Sequence, residues 1–273
     1  MSRHDRASAR GGRQGRRDLG PRRIPSHARD EWWVTGRRPV AEAIRAGMAI
    51  EVLIGSWVRS TPALRDVLSA TEEARVAARE VPRSTLDGIA DDHHGVAARI
   101  RRPSERGDGL VDEHPFGDED VVVVLDGITD PNNLGAAARA AEAAGVALLV
   151  SRVRRAAGLS PAALRASAGA LAHLPLARVT NLRRTLDRLK DRGFTVVGLD
   201  GAATTSFLDS PSPAGRVALV VGSEGEGLSR LVREGCDLLV SIPMRGRVES
   251  LNASAALAAA LYGYVLPSRS SKE

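Results

Sequence analysis

The chain has 273 residues, 43% of them hydrophobic and 3% aromatic, and a formal net charge of +6. That length accommodates an aliphatic α/β core and a small second domain. The single cysteine, Cys236, excludes an intramolecular disulfide and a multi-cysteine metal site, and no apolar run is long enough for a membrane span.

The charge is concentrated at the start. Residues 1–30 hold nine arginines against three aspartates, leaving the other residues formally neutral. This segment has no apolar run, so it is expected to be a disordered basic tail that binds polyanions. A soluble, cytoplasmic protein without a membrane partner is expected. Residues 31–102 read as a small α/β unit. Arg38–Ala46 forms a first helix, AIEVLIG a strand, TPALRDVLSATEEA a second helix and GVAARIR a second strand. Residues 103–120 are charged, rich in glycine and proline and aperiodic, and read as a linker.

From residue 121 to 273 the pattern becomes regular. The short runs VVVVLD, VALLVS, TVVGLD, VALVVG and LLVSIP are apolar without alternation, as expected of parallel strands covered on both faces. Helical stretches separate them. One is capped by Ser160 with Pro161 in its first position, another by Thr180. The order βαβαβαβα implies one parallel α/β domain.

Three polar loops follow buried strands. The first, DGITDPNNLG, lacks the G-x-G-x-x-G of a dinucleotide fold, and no Walker-type GKS or GKT occurs. It leads into a helix that carries Arg139 near its start. The second, VVGSEGEGLS, collects Gly222, Gly225 and Gly227 around Glu224 and Glu226, where glycine permits tight turns and close approach to a ligand. The third, SIPMRGRVESLNAS, runs from a strand ending at Ile242-Pro243 into an alanine-rich helix. Carboxyl ends of parallel strands are where α/β folds place their sites. The six histidines are scattered, no third ligand joins His93-His94, and Asp126 beside Asp130 reads as turn chemistry, so no metal is expected.

These three loops, in this order and spacing, resemble the motifs of the SpoU/TrmH family of RNA ribose 2'-O-methyltransferases within the SPOUT superfamily. The small unit is similar as well. VTGRRPVAEAI resembles the family's GxxxVxEAL opening, and DDHHGVAARI its HQGIAA strand. The resemblance implies a parallel-sheet SPOUT methyltransferase domain with a C-terminal trefoil knot, preceded by a small L30e-like RNA-binding domain. It implies a homodimer whose protomers pair to complete the site, and S-adenosylmethionine as cofactor. Gly201, Val221, Gly222, Ile242 and Met244, with Leu251, then hold the cofactor, largely through backbone groups. The substrate implied is ribosomal RNA, foremost a guanosine in the peptidyl-transferase region of 23S rRNA, with tRNA as the alternative.

Asn133, Arg139, Glu224, Ser250 and Asn252 are the reacting-site residues that the resemblance carries over. A guanidinium is a poor free base, so Arg139 either lowers the pKa of the hydroxyl, clamps the adjoining phosphate, or is simply an exposed helix arginine. Asn133 either caps its helix or positions Arg139, while Glu224 either orients a group near the cofactor, accepts a bond from Asn133, or bonds backbone amides in its glycine-rich turn. Ser250 and Asn252 either cap the last helix or hold the cofactor or ribose. Glu249 stands where many relatives carry serine, and Arg245 and Arg247 add charge to its loop.

Overall fold

The computed structural model describes residues 31–268 apart from 104; the basic segment 1–30 lies outside the described residues. The small unit runs β1 (Glu31–Thr35), α1 (Arg37–Arg45), β2 (Ala49–Gly55), α2 (Pro62–Glu73), β3 (Ala77–Val81), α3 (Arg83–Asp87) and β4 (Val96–Arg101). Its four strands lie in the order β1-β4-β2-β3. β4 is antiparallel to both neighbours, and β2 pairs with β3 in parallel. The α1 pattern buries Val40, Ala41, Ala43 and Ile44. α2 begins where Thr61 Oγ1 accepts the Leu64 amide at 3.2 Å, with Pro62 in the first turn. β3 was not expected. Four of its five residues are exposed, so it shows no apolar run, and backbone pairing with β2 recruits it.

The segment expected to be a linker is fastened down. Within it α4 (Gly109–Glu113) buries Leu110 and Val111, and Phe116 packs edge-on against Phe194 at 4.8 Å. Arg188 donates to the Asp108 carbonyl at 2.8 Å and pairs with Asp112, and Arg192 donates to the Val111 carbonyl at 2.7 Å. Glu105 accepts the Leu159 amide at 2.6 Å. Three apolar side chains scattered among charges give no periodicity, which hides this packing from a sequence reading.

The larger unit contains β5 (Val121–Asp126), α5 (Pro131–Ala143), β6 (Leu148–Arg152), α6 (Pro161–Ala166), β7 (Leu176–Val179) and α7 (Leu182–Asp191). It continues through β8 (Thr195–Leu199), β9 (Val217–Gly222), α8 (Arg230–Arg233), β10 (Leu238–Val240) and α9 (Ala253–Ala260), which widens into a π turn over Leu261–Val265. All six strands are parallel, in the order β10-β8-β9-β5-β6-β7. β5 and β9 are buried at every residue, as their unbroken apolar runs require. Apolar clusters cover both faces of this sheet, and the one on the α5, α6 and α9 side is continuous with the core of the small unit.

Some expectations are corrected. β7 was not foreseen, because its four residues include Arg178. The cap of α7 is Asn181, not Thr180: its side chain accepts the Arg184 amide at 3.1 Å. The last strand stops at Val240, short of Ile242-Pro243. The chain runs outward from β5 to β7, crosses to β8, then fills the gap with β9. The switch point is therefore between β5 and β9, and the loops that follow β5, β8, β9 and β10 share one rim.

Candidate active site

The loop after β5 ends at Asp130, which caps α5 by accepting the Asn132 amide at 2.9 Å, with Pro131 next. Asn133 is therefore not a cap, and its side chain is free for other bonds. The helix also starts earlier than expected, so Arg139 is its ninth residue and lies in the third turn.

Glu224 lies on the turn after β9. Ser223 and Gly227 close that turn with reciprocal backbone bonds of 3.1 and 3.0 Å. Gly225 and Gly227 adopt positive φ, and a Cβ on Gly222 would lie 2.1 Å from the Gly227 carbonyl carbon. Gly222 is thus required because the turn folds onto itself. Asp126, buried at the end of β5, holds the far end: it accepts the Ser229 amide at 2.7 Å and pairs with Arg152. By sequence, Asp126 reads only as a turn former or metal ligand. A pairing across 103 residues leaves no local signal.

Three loops converge on Glu224. Asn133 Nδ2 donates to Glu224 Oε1 at 2.9 Å, Asn252 Nδ2 donates to the same oxygen, and Asn252 Nδ2 also reaches Asn133 Oδ1 at 3.0 Å. Asn252 at the same time caps α9, its Oδ1 accepting the Ser254 amide at 3.0 Å and the Ser254 hydroxyl at 2.6 Å. In Asn252 the helix cap and the contact with Glu224 coincide.

Beside this cluster is a cavity of about 460 Å³. Gly201, Val221, Gly222, Ile242, Met244 and Leu251 all line it, as do Glu224 and Ser250. Met244 and Leu251 are 36% and 40% exposed, so they offer apolar surface to a flat ring. Asp200, Glu226 and Glu249 add further carboxylates, and among the described residues no lysine or arginine lines the cavity. Burial pushes the Asp200 carboxyl upward, but the Arg233 guanidinium and the Ala202 amide outweigh it and hold the group below the usual carboxylate range. The cavity therefore suits a ligand with a flat, weakly polar part and a cationic part. Among the described residues no cluster has the composition of a metal site.

Arg139 stands apart. It is exposed and has no hydrogen-bond or ion-pair partner among the described residues. Arg245 and Arg247 are likewise exposed, on the loop that carries Glu249.

Comparison with known proteins identifies relatives of the whole chain. The SpoU rRNA methylase family matches residues 120–262, and the RNA 2'-O ribose methyltransferase substrate-binding domain matches residues 33–106. A Staphylococcus saprophyticus protein assigned to the TrmH family of tRNA/rRNA methyltransferases is 39% identical over 240 residues, covering 85% of this chain and 94% of its own. A tRNA/rRNA methyltransferase of Mycobacterium avium is 40% identical over 242 residues, covering 86% and 77%. The SpoU methyltransferase AviRb from Streptomyces viridochromogenes, solved with AdoMet, superposes with a TM-score of 0.73 at 27% identity, covering 90% and 93%. An RNA 2'-O ribose methyltransferase structure gives 0.75 at 26%, covering 89% and 90%.

Proposed function

From the premise that the chain belongs to the SpoU rRNA methylase family of RNA methyltransferases, we propose that it methylates a ribose 2'-oxygen in RNA at the cavity beside Glu224. We assign the target to a guanosine in the peptidyl-transferase region of 23S rRNA, with a tRNA ribose as the alternative. The observation that carries the reading is the junction of Asn133, Glu224 and Asn252 at the rim of a cavity walled by carboxylates.

S-adenosylmethionine fits this cavity. Its adenine matches the apolar surface of Met244 and Leu251 and the backbone at Gly201, Val221 and Ile242; its cationic portions match a wall that carries carboxylates and, among the described residues, no basic side chain. When bound, it supplies an electrophilic methyl group on a sulfonium, whose departure leaves a neutral sulfur. The chain therefore has little leaving-group charge to stabilise. Its work is to hold the ribose hydroxyl in line and to favour loss of its proton. Glu224 fixes the two asparagine amides, and the remaining capacity of this cluster, with Ser250, orients the cofactor and the ribose.

Arg139 is read as acting across a dimer. It follows Asn133 by six residues, which places it about 120° around α5 and about 9 Å further along. It therefore faces away from its own Glu224 cluster. The exposed face of the last helix is apolar: Ala255 and Tyr262 stand on it, and the Tyr262 hydroxyl donates to the Ala143 carbonyl at 2.9 Å. Small residues there permit close helix approach. We read this face as the homodimer contact, through which Arg139 clamps the phosphate or activates the hydroxyl in the partner's site. We also read the passage that returns α9 against α5 and β9 as the trefoil knot of the family.

Titration separates this reading from a nucleotide-dependent oxidoreductase. Binding of S-adenosylmethionine without binding of nicotinamide dinucleotides is expected, together with methyl transfer to RNA. Nicotinamide binding in place of S-adenosylmethionine binding would overturn it.

A further inference from the structure

Asp126 and Arg152 do not line the cavity beside Glu224, yet both are committed to its frame. Asp126 is the last residue of β5, in register with Gly222 at the end of β9. Its side chain is 1% exposed and both carboxylate oxygens are engaged, Oδ1 by the Arg152 guanidinium and Oδ2 by the Ser229 amide at 2.7 Å. Arg152, the last residue of β6, also donates to Ser229 Oγ at 3.1 Å. Ser229 is thus held by a charged group at its amide and by another at its hydroxyl. It stands at the far end of the turn that carries Glu224.

The same pair is tied to the loop that carries Asn133. Beyond Arg152 the chain is pinned. The Val153 amide donates to the Val179 carbonyl at 2.9 Å, and the buried Arg178 donates to the Val153 carbonyl at 3.2 Å and to the Ala157 carbonyl. The Ala157 amide then donates to the Ile128 carbonyl at 2.7 Å, in the loop between Asp126 and Asn133. Asn133 meets Glu224 at 2.9 Å, so the bonded path closes on itself through Ser229 and Asp126.

A buried carboxylate is costly to hold, and a buried ion pair is a weak source of stability. The Arg152 Nε is moreover buried without a partner among the described residues. The best-attested use of such pairs is to fix a register. Here it is the register of Glu224 against Asn133. Residues 224–227 are exposed, and the reciprocal Ser223–Gly227 bonds close the turn without fixing where its far end lies. We propose that Asp126 and Arg152 are positioning residues for methyl transfer, which touch neither cofactor nor ribose and hold the Glu224 turn so that one carboxylate oxygen meets both asparagine amides. The inference rests on the reading of Glu224 as a reacting-site residue of an RNA methyltransferase. A misplacement of about 1 Å costs such a site on the order of 100-fold in rate. A pair that only stabilised the fold would leave the rate of the folded protein unchanged.

The test is a double-mutant cycle on the full chain, followed by single-turnover methyl transfer and by thermal midpoint. Asp126→Asn keeps an acceptor for the Ser229 amide but removes the charge facing Arg152. It is expected to slow transfer about 10- to 100-fold in otherwise wild-type protein, and less than about threefold in Glu224→Gln protein, where the group it acts through is already lost. The thermal midpoint is expected to fall equally in both backgrounds. Arg152→Gln runs the same cycle with the buried carboxylate intact, and decides the matter where Asp126→Asn does not fold. Hydrogen exchange gives a readout that needs no activity: amides of residues 223–229 are expected to exchange about tenfold faster in either variant. An unchanged single-variant rate, equal losses of rate in the two backgrounds, or unchanged exchange in this segment would overturn the proposal. Failure of the methyltransferase reading is distinct: wild-type protein would neither bind S-adenosylmethionine nor transfer methyl, while the exchange result would stand.

Discussion

Glu224 holds two amide donors on one carboxylate oxygen, and charge-assisted bonds of this kind are the strong ones. Glu224→Gln keeps the shape but puts a third amide where the acceptor stood. Methyl transfer is expected to fall by about 100-fold with little change in thermal midpoint, because the group is exposed; single-turnover rates at saturating cofactor measure it, and a wild-type rate would remove Glu224 from the reaction. Gly222→Ala acts differently. The added methyl meets Gly227 backbone at 2.1 Å and the Leu228 amide nitrogen at 2.5 Å, neither of which is the end of a flexible side chain. A loss of about 1–3 kcal/mol on denaturant unfolding is expected, together with weaker cofactor binding; an unperturbed midpoint would show that the turn is looser than described. At this scale the sequence was informative wherever a polar residue followed a buried strand. The three loops were legible that way; Asn133, Glu224 and Asn252 within them come from the family resemblance, which includes Glu224 as a partner of Asn133 among the expectations. Choices between nearby candidates were not, since Asp130 rather than Asn133 caps α5 and Asn181 rather than Thr180 caps α7. Either member of each pair can cap, and only the local backbone decides.

α5 carries Asn133 at one end and is seated on α6 through Gly135. A Cβ at Gly135 would lie 2.5 Å from Ala166 Cβ, 2.6 Å from the Ala163 carbonyl oxygen and 2.8 Å from the Ser167 amide. Helix propensity alone favours Gly135→Ala by about 1 kcal/mol. The collision involves backbone and opposes that gain, so net destabilisation of about 1–3 kcal/mol is expected by chemical denaturation, with methyl transfer reduced because α5 tilts. Stabilisation would show that the two helices can separate without cost. Long apolar runs made β5, β8 and β9 easy to read. β3 and β7 escaped because one is an exposed edge and the other contains a buried arginine: Arg178 donates to Ser151 Oγ at 3.1 Å and to the Val153 carbonyl at 3.2 Å. Their strand character comes from neighbours in the sheet, which no local pattern encodes. α4 escaped for a similar reason, its ordering coming from Arg188 and Arg192 on α7 and the residue that follows it.

The two units are joined by more than the connecting chain. Gly169, with φ of 96°, lies so close to α1 that a Cβ would fall 2.2 Å from Glu42 Cβ, and the apolar core runs through both. The proposed dimer adds a second level. If Arg139 serves the partner's site, mixing Arg139→Ala with Glu224→Gln protein is expected to restore roughly a quarter of wild-type activity, since random pairing gives mixed dimers in which one of two sites is intact. No restoration on subunit exchange would place Arg139 in its own protomer's site. The most direct measurement for the whole account is a map of ribose 2'-O-methylation across ribosomal and transfer RNA from cells deleted for the gene, complemented with wild-type or Glu224→Gln protein. The expected result is loss of one methyl group from a 23S rRNA guanosine, regained with wild type and not with the variant. A map identical in deleted and complemented cells would contradict the account.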